Sequence, residues 1–428
     1  MTLPVLVAVP GPLEARLLAA WEPLRRDLVV VRRCPDVADL LGAAGAGLAR
    51  VVVVGADLPG CDGDTVEALR RWGVGLLVLL PDGPEGEAAE RRWRAVGAVS
   101  FARGSRPPTD LAREVALAVD VLQREDGPEP HVGRPQTELA IDPVPGRTLA
   151  VWGPHGSTGR TTVAVNVATE LALGGQTVLL VDADTRGAAV AQTLGLLDEA
   201  PGLLAAVRSS TDGRLDVAAL HRHSSSVAPG MAVLTGAADP RRWSEVRPAG
   251  FRRILQVGSV AHDWTVVDLP GGLDDALDGA GEPQSRDAVT TGTLEAADVV
   301  VVVGAADPVG LQRFLRTWER LPELAPEALV VPVVNRLRST ASGSPAARRT
   351  AATLRRFGGV EDPVFLPDDS AADLALSGGR PLSDAAPRSA LRQALSDLAG
   401  RLEAVVDLPA DLPATVTAAG FDPLLARS

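Results

Sequence analysis

Residues 147–173 read RTLAVWGPHGSTGRTTVAVNVATELAL: an apolar run, a glycine-rich turn and a helix-length stretch, in that order. A glycine-rich turn between a strand and a helix aims backbone N–H groups at a phosphate, and the helix N-terminus adds its dipole at the same point. The ordinary phosphate loop reads G-x-x-x-x-G-K-[ST]. Gly159 and Thr161 fit that pattern, whereas Pro154 replaces its first glycine and Arg160 its lysine. The pattern alone leaves two interpretations open, a phosphate loop and a plain glycine-rich turn.

Two acidic motifs follow along the chain at the places where a phosphate site needs them. VDADTRG puts Asp182 and Asp184 two residues apart at the end of an apolar run. WTVVDLPGG puts Asp268 at the end of another, shortly before Gly271. An acid at the carboxyl end of a buried strand is where magnesium and γ-phosphate chemistry takes place in phosphate-loop proteins. Any one of these acids could simply belong to a turn, but three in this order favour a nucleotide site.

The rest of the chain predicts an α/β protein, because short apolar runs alternate with helix-length amphipathic stretches almost throughout. Residues 1–126 contain five such (βα) units. Residues 127–147 are rich in proline and are expected to be a linker. Residues 148–405 contain seven apolar runs and predict a larger parallel sheet that carries the phosphate loop. Residues 406–428 are expected to be a loose tail.

Composition excludes several classes of protein. The 54 acids and 42 bases give a net charge of −12, which argues against unassisted binding to nucleic acid. The sequence has no apolar run of about 18 residues that would span a membrane, and its start, MTLPVLVAVP, lacks the basic flank of a signal peptide. We therefore expect a cytoplasmic protein in which Cys34 and Cys61 are reduced, structural thiols.

Residues 148–405 resemble the ParA/MinD family of deviant Walker ATPases. More closely, the whole chain resembles the actinobacterial CpaE/TadZ-like branch, which includes septum-site determining proteins. The family's loop reads K-G-G-x-G-K-[ST], and residues 155–161 occupy it here as HGSTGRT. The resemblance continues in LEAADVVVVVGAADPVGLQR, in VVNR and in LPDD.

The resemblance implies ATP and Mg²⁺ as ligands and gives roles to individual residues. Asp184 would orient or activate the attacking water, with Asp182 beside it near the metal. Thr161 would be a ligand of Mg²⁺, which Asp268 would hold through water. The cradle around the phosphates would be formed by Gly156, Ser157, Thr158, Gly159, Arg160, Thr161 and Thr162.

A second set of positions matches the family's base-binding segment. Asn335, followed by Arg336, matches the family's adenine-contacting asparagine, and Pro367 and Asp368 belong to the segment that closes over the base. The chain has only two asparagines, Asn166 and Asn335, so composition does not explain an asparagine at this place.

Two departures from the family pattern concern catalysis. His155 occupies the place of the lysine that reaches across a nucleotide-sandwich dimer to the partner's phosphates, but it is shorter and mostly neutral at pH 7. Arg160 keeps the charge of the loop's second lysine, although its guanidinium is bulkier and planar. Nucleotide binding is therefore expected, while hydrolysis is left open.

The first domain resembles the receiver domains of two-component signalling. The receiver's P-G-x-D-G turn is present at Pro59–Gly63, but the acceptor position is Gly55 and the lysine position is Gly104. The first strand ends without the acidic pair that binds Mg²⁺. These losses predict a pseudo-receiver used for docking, with Asp57 as a displaced acceptor or, preferably, a solvated loop acid.

These features together predict a cytoplasmic spatial regulator that dimerises with ATP. Its pseudo-receiver would bring it to protein partners at a pole, a septum or a Tad-type pilus assembly machine, without a membrane anchor of its own. The alternatives are a non-hydrolysing scaffold, a DNA-partition ATPase and, more remotely, a small-molecule kinase. The arginine pairs 241–242 and 252–253 could contact DNA phosphates, but ion-paired or solvated faces suit the acidic composition better. A metal site at His221 and His223 is not supported by neighbouring acids or cysteines.

Overall fold

The computed structural model describes residues 2–9, 11–25, 27–125, 145–156, 159–196, 201–273, 285–338 and 346–406. The chain divides into two compact units, Met1–Asp142 with Arg208–Leu215, and Pro143–Val207 with Asp216–Ser428. The expected linker 127–147 lies outside the described residues except for its last three, and the expected tail 406–428 except for its first. No helix in the described ranges is long and apolar enough to cross a membrane.

The first unit is built around a five-stranded parallel sheet, as its five apolar runs predict. Its strands are β1 (Leu3–Ala8), β2 (Leu28–Arg33), β3 (Val51–Gly55), β4 (Gly75–Leu80) and β5 (Ser100–Arg103). Its helices are α1 (Pro12–Trp21), α2 (Val37–Gly45), α3 (Gly63–Arg71), α4 (Gly83–Ala95) and α5 (Pro108–Glu125), with a short 3₁₀ helix at Glu22–Leu24. The spatial order is β2-β1-β3-β4-β5. That order is a doubly wound, flavodoxin-like one and is compatible with a receiver-like domain.

The central strands of this sheet are apolar on both faces because helices cover both. Every residue of β3 and β4 is buried, whereas the last three residues of the edge strand β2 are exposed. Side-chain caps set the starts of two helices. Asp36 accepts from the backbone N–H of Asp39 before α2, and Asp62 forms a capping box with Thr65 before α3.

The second unit contains an eight-stranded sheet with the glycine-rich turn at its centre. Its strands are β6 (Arg147–Trp152), β7 (Val178–Asp182), β8 (Ser225–Ala228), β9 (Met231–Leu234), β10 (Trp264–Asp268), β11 (Val299–Ala305), β12 (Leu329–Leu337) and β13 (Val364–Pro367). The order is β13-β12-β11-β6-β10-β7-β9-β8. The chain leaves β6 toward one side of the sheet and later returns to build the other side, so the turn after β6 lies at a topological switch point, where open α/β sheets bind ligands.

The prediction of a wholly parallel sheet is wrong at one edge. All seven predicted strands are present, but β8 was not predicted, and it pairs antiparallel with β9. Two of its four residues are exposed, and its sequence SSVA has no apolar run by which to recognise it. The hairpin is closed by Pro229 and Gly230, and Gly230 has a left-handed φ of 76°.

Helices cover both faces of this sheet. They are α6 (Arg160–Leu173), α7 (Val190–Thr193), α8 (Gly202–Thr211), α9 (Val217–His223), α10 (Pro248–Ala261), α11 (Ala288–Ala296), α12 (Pro308–Trp318), α13 (Leu321–Leu324), α14 (Ala346–Gly358), α15 (Ala371–Gly378), α16 (Leu382–Ala385) and α17 (Ala390–Val406), with a 3₁₀ helix at Pro240–Glu245. α6 is the most enclosed of them along its length, since residues 163–171 are all buried. Leu391, Leu395, Leu398 and Leu402 of α17 belong to the same core as α6. The helix that follows the glycine-rich turn is therefore rigidly placed.

Candidate functional site

The glycine-rich turn joins β6 to α6 at the carboxyl edge of the sheet. Gly159 is the residue before the helix and has a left-handed backbone, with a φ of 97°. A Cβ at this position would lie 2.5 Å from Nδ2 of Asn335, so conformation and close packing both require glycine. α6 then begins at Arg160, and the first backbone N–H groups of a helix have no partner within the helix itself. Ser157 and Thr158, two residues of the expected cradle, lie outside the described residues.

Thr161 and Asp268 are in contact next to this turn. The Thr161 hydroxyl donates to Oδ2 of Asp268 at 2.6 Å. Asp268 is 1% exposed, and its Oδ1 has no hydrogen-bond partner among the described residues. Burial and the neighbouring Asp182 raise the pKa of Asp268 well above its usual value. A buried oxygen of this kind beside a hydroxyl fits Mg²⁺ or its water, because Mg²⁺ takes oxygen ligands.

The donor set is too small to hold a metal ion by itself. Within the described ranges, no group of three or more His, Cys, Asp or Glu side chains is arranged around a common metal position. Mg²⁺ is usually bound through one or two carboxylates together with substrate phosphates and water, not by an all-protein cage. Thr161 and Asp268 therefore suit a metal that arrives with a nucleotide.

Asp182 lies beside Asp268 and holds the segment that follows it. The two acids occupy matched positions on the parallel strands β7 and β10. One Asp182 oxygen accepts from the backbone N–H of Asp184 at 3.2 Å, and the other accepts from that of Val190 at 3.0 Å. Burial raises the pKa of Asp182 to about 7, although these backbone donors act in the opposite direction. Asp182 thus closes the loop 182–190 at both ends.

Asp184 is half-buried at the start of that loop. Its Oδ1 accepts from the backbone N–H groups of Arg186 at 2.8 Å and Gly187 at 2.9 Å. These two bonds orient the carboxylate from its own loop. The geometry therefore gives the expected water-orienting acid a defined direction, set by the backbone two and three residues further on.

Arg160 makes contacts that the sequence did not predict. Its Nε donates to the carbonyl oxygen of Leu269 at 3.1 Å, and its Nη1 donates to that of Pro154 at 3.2 Å. The guanidinium lies against Gly271, where a Cβ would come within 2.7 Å of it. Burial lowers the pKa of Arg160, while Asp268 and Asp184 act to raise it. Arg160 thus ties the glycine-rich turn to the segment after β10.

The expected base-binding residues lie at the ends of the neighbouring strands β12 and β13. Asn335 is buried and its Oδ1 accepts from the backbone N–H of Arg336 at 2.8 Å. Arg336 is exposed and has a left-handed φ of 56°. Pro367 ends β13, and Asp368 forms an ion pair with Arg338 at 3.2 Å. The amide of Asn335 faces Gly159, so Asn335 adjoins the glycine-rich turn.

His155 lies on the exposed side of the turn. Its backbone oxygen accepts from Nη1 of Arg313 at 3.3 Å. Its imidazole lies over Gly272, the residue after the Arg160 contact at Gly271. The side chain is exposed, so it is accessible at the position where the family pattern has a lysine.

Asn166 is a structural residue that the sequence analysis did not assign. Its Nδ2 donates to the carbonyl oxygen of Thr162 at 2.8 Å, and its Oδ1 accepts from the backbone N–H of Leu382 at 2.8 Å. Asn166 thereby attaches the start of α16 to α6, the helix that follows the glycine-rich turn. The scarcity of asparagine was a signal for both Asn166 and Asn335, but only Asn335 had a family motif around it.

The segment after β3 in the first unit contains the positions compared above with a receiver's acceptor. Gly55 ends β3, and Asp57 is exposed. The carbonyl oxygen of Ala56 accepts from Nη2 of Arg92 at 2.7 Å and from Nε1 of Trp93 at 3.1 Å. Side chains of α4 therefore bind the backbone immediately after Gly55.

The first of the two arginine pairs considered for DNA contacts, Arg241 with Arg242, is engaged by neighbouring acids. Arg241 pairs with Asp239 at 2.7 Å, and Arg242 pairs with Glu245 at 2.6 Å. Both arginines have local partners in the same 3₁₀ segment. This arrangement is an ion-paired face of the kind that the acidic composition predicts.

Comparison with known proteins supports the prediction that the second unit is a nucleotide-binding domain. The family model described as the CobQ/CobB/MinD/ParA nucleotide binding domain matches residues 149–382. The chromosome partitioning protein ParA of Caulobacter vibrioides is 28% identical over 217 residues, which are 46% of this chain and 72% of that protein. The matched residues include the turn, both acidic motifs and the residues expected to bind the base.

Other similarities are shorter or more distant. The tyrosine-protein kinase ptk of Acinetobacter johnsonii is 26% identical over 138 residues, which are 32% of this chain but only 18% of the kinase. Among solved structures, the cell division ATPase MinD of Pyrococcus furiosus is 20% identical and covers 61% of this chain and 99% of its own, with a TM-score of 0.48.

Proposed function

The chain belongs to the CobQ/CobB/MinD/ParA nucleotide-binding family, and on that premise we propose that it is an ATP-dependent spatial regulator of the ParA/MinD type. ATP and Mg²⁺ bind at residues 156–162, and ATP favours a sandwich dimer in which His155 lies at the dimer contact. Differential affinity of the two nucleotide states for partners makes the site a switch. The first unit serves as a pseudo-receiver that docks on a septal, polar or Tad-type pilus assembly machine.

One observation carries the nucleotide assignment. Asp268 is buried, one of its oxygens is bound by the Thr161 hydroxyl, and the other has no partner among the described residues. Leaving a buried carboxylate oxygen without a partner is costly unless a ligand or water completes it. The pair lies at the N-terminus of α6, where a phosphate is favoured.

The residues of the site divide the work of ATP turnover among them. Thr161 would hold Mg²⁺ directly and Asp268 would hold it through water. Bound Mg²⁺ would supply positive charge that offsets the negative charge developing on the transferred phosphoryl group. Asp184, oriented by its loop amides, directs the attacking water. Asn335 contacts the base, which the segment around Pro367 and Asp368 covers.

A non-hydrolysing scaffold is the second candidate, and the contacts of Arg160 favour it. Its guanidinium is engaged by two backbone carbonyls instead of facing an open cradle. If those contacts persist with nucleotide present, the loop has no cation for the transferred phosphoryl group, and turnover fails while the fold is kept.

The test is a titration of the purified full chain with ATP and Mg²⁺. Calorimetry measures binding, light scattering on the same samples measures mass, and phosphate release measures turnover. Binding with a shift from monomer to dimer is the expected result. Binding without any phosphate release would favour the scaffold, and no binding at millimolar ATP would exclude the nucleotide-dependent regulator and leave the scaffold.

A matched variant tests whether Thr161 acts through the metal or through direct contact with the nucleotide. Thr161→Val keeps the shape of the side chain and removes the hydroxyl. It should weaken ATP binding in Mg²⁺ and leave binding in EDTA unchanged. An equal loss in both conditions would mean that Thr161 does not act through the metal.

Salt-sensitive binding of the wild-type protein to duplex DNA would favour a partition ATPase instead of a regulator of the ParA/MinD type.

A further inference from the structure

The loop that carries Asp184 is gripped from outside by two adjacent residues that precede α11. Arg186 in the loop forms an ion pair with Asp287, with Nη2 and Oδ1 2.6 Å apart. The two side chains are 24% and 11% exposed. In the opposite direction, Nη2 of Arg286 donates to the carbonyl oxygen of Thr185 at 3.0 Å. Two consecutive residues of one segment thus hold two consecutive residues of the other.

The Thr185 carbonyl that Arg286 holds belongs to the same peptide unit as the Arg186 N–H, one of the two groups that orient the Asp184 carboxylate. Oδ1 of Asp184 accepts from the backbone N–H groups of Arg186 and Gly187. On the inner side, Asp182 fixes the backbone at Asp184 and at Val190. A shift of the backbone between these two anchors would move both donors of Asp184 and turn its carboxylate.

The outer side of the grip is attached to a rigid element. Asp287 is the residue before α11, and its carbonyl oxygen accepts from the backbone N–H of Thr291 at 2.8 Å. Val289, Thr290, Thr293 and Leu294 of that helix are buried. Arg286 also lies 6.0 Å from the ring centroid of Trp243. These contacts therefore fix the position of the Asp184 loop relative to the packed core of the second unit.

We propose that Arg186, Arg286 and Asp287 form a positioning clasp that holds Asp184 in the orientation needed for ATP turnover. The inference rests on the proposed function, because it assigns no nucleotide contact to the clasp residues themselves. The clasp sets the direction of a water-orienting carboxylate, so its loss lowers kcat and leaves ATP affinity in place. A misplacement of about 1 Å in such a group costs on the order of 100-fold in rate.

The test variant is Asp287→Asn, which keeps the size of the side chain and removes the charge. We expect kcat to fall by about 10- to 100-fold, with KM and the Kd for ATP with Mg²⁺ changed less than about threefold. Amide hydrogen exchange in the peptide 183–190 should become faster in the nucleotide-free protein. Arg186→Lys, which keeps the charge, should recover a large part of the rate that Arg186→Gln loses. Arg286→Met tests the other half of the clasp without touching the ion pair.

Glu170→Gln is the matched control. It breaks the ion pair between Glu170 and Arg392, which joins Nε and Oε1 at 2.9 Å with side chains 6% and 29% exposed. This pair is comparable in chemistry and burial, but it connects α6 to α17. It should lower stability without changing kcat or exchange in the peptide 183–190.

The outcomes separate the clasp from the function on which it rests. Unchanged kcat and unchanged exchange in Asp287→Asn, with an active wild type, would overturn the clasp alone. A fall in kcat matched by Glu170→Gln would also overturn it, because the effect would then be one of general stability. Absence of ATP binding by the wild type would overturn the proposed function and the role of the clasp in turnover together.

Discussion

Asp182 and Asp268 lie opposite each other on the neighbouring parallel strands β7 and β10, and each is 1% exposed. Two carboxylates enclosed side by side disfavour each other's ionised form. Only Asp182 has both oxygens bound by backbone donors, and its pKa is nevertheless raised to about 7, chiefly by burial. The edge of the sheet that would receive Mg²⁺ therefore stores electrostatic strain that a cation relieves.

This strain predicts how the stability of the nucleotide-free protein depends on pH. An aspartate in the unfolded chain titrates near pH 3.9, so between about pH 4 and about pH 7 the folded state holds a proton that the unfolded state has lost. The free energy of unfolding should therefore fall as the pH rises through this window, by up to about 1.4 kcal/mol per pH unit for each of the two carboxyls whose pKa is raised, Asp182 and Asp268. Asp182→Asn should make the fall shallower. Urea unfolding at a series of pH values, without Mg²⁺, measures it.

Asp263→Asn is the control for this slope. Asp263 accepts from the hydroxyl and the backbone N–H of Thr177, and these bonds lower its pKa. Its contribution to stability is present above the unfolded pKa and is lost as the pH falls, which is the opposite sign. An Asp182→Asn protein with the same slope as wild type between about pH 4 and about pH 7 would show that Asp182 does not hold a proton in the fold.

Asp184→Ala should stop turnover and leave ATP binding intact. The carboxylate is oriented by two loop amides and contacts neither Thr161 nor the turn through any bond described above. Its loss should lower phosphate release by at least about 100-fold, the usual contribution of a positioned general base. Calorimetry and phosphate release on one preparation measure both quantities. Turnover at the wild-type rate would remove Asp184 from the catalytic role.

Arg160→Ala should weaken ATP binding by about tenfold or more, equivalent to about 1.4 kcal/mol, because the loop loses its only expected cation for the phosphates. Arg160→Lys is the variant to compare with Arg160→Ala. It restores a compact charge but cannot reproduce both carbonyl contacts, to Leu269 and to Pro154. Lysine should keep or improve the affinity. If alanine binds ATP as tightly as wild type, Arg160 is a structural tie and the phosphates are held elsewhere.

Cys34 and Cys61 should react slowly with alkylating reagents in the folded protein. Burial, with help from Asp39, raises the pKa of Cys34 to about 11, and burial with Asp62 raises that of Cys61 to about 12. At pH 8 the thiolate would be on the order of one part in a thousand or less. Mass spectrometry after iodoacetamide treatment, with and without urea, measures the rates. Fast labelling of either residue in the native protein would contradict this burial.

The strands and acids of the site could be predicted because the signals are local. Continuous apolar runs indicate strands covered on both faces, and the carboxyl ends of parallel strands meet at one edge, which brings Asp182 and Asp268 together. The carbonyl partners of Arg160 could not be predicted, since a backbone oxygen leaves no trace in the residue type. β8 escaped prediction because its short serine-rich run lacks alternation.

The two asparagines show the same limit: a local motif can be recognised in the sequence, but a contact between distant segments cannot. Asn335 stood in a recognisable motif, whereas Asn166 binds the backbone of Leu382, 216 residues further along, a pairing that only the fold creates. Asn335→Ala should lower the preference for ATP over GTP, because Asn335 is the residue proposed to contact the base and its amide lies beside Gly159. Asn166→Ala should instead lower stability, by about 1–3 kcal/mol for an unpartnered buried amide, and keep the preference. Competition binding with both nucleotides, beside thermal unfolding, measures the contrast. Equal selectivity in wild type and Asn335→Ala would show that the base is recognised by other residues.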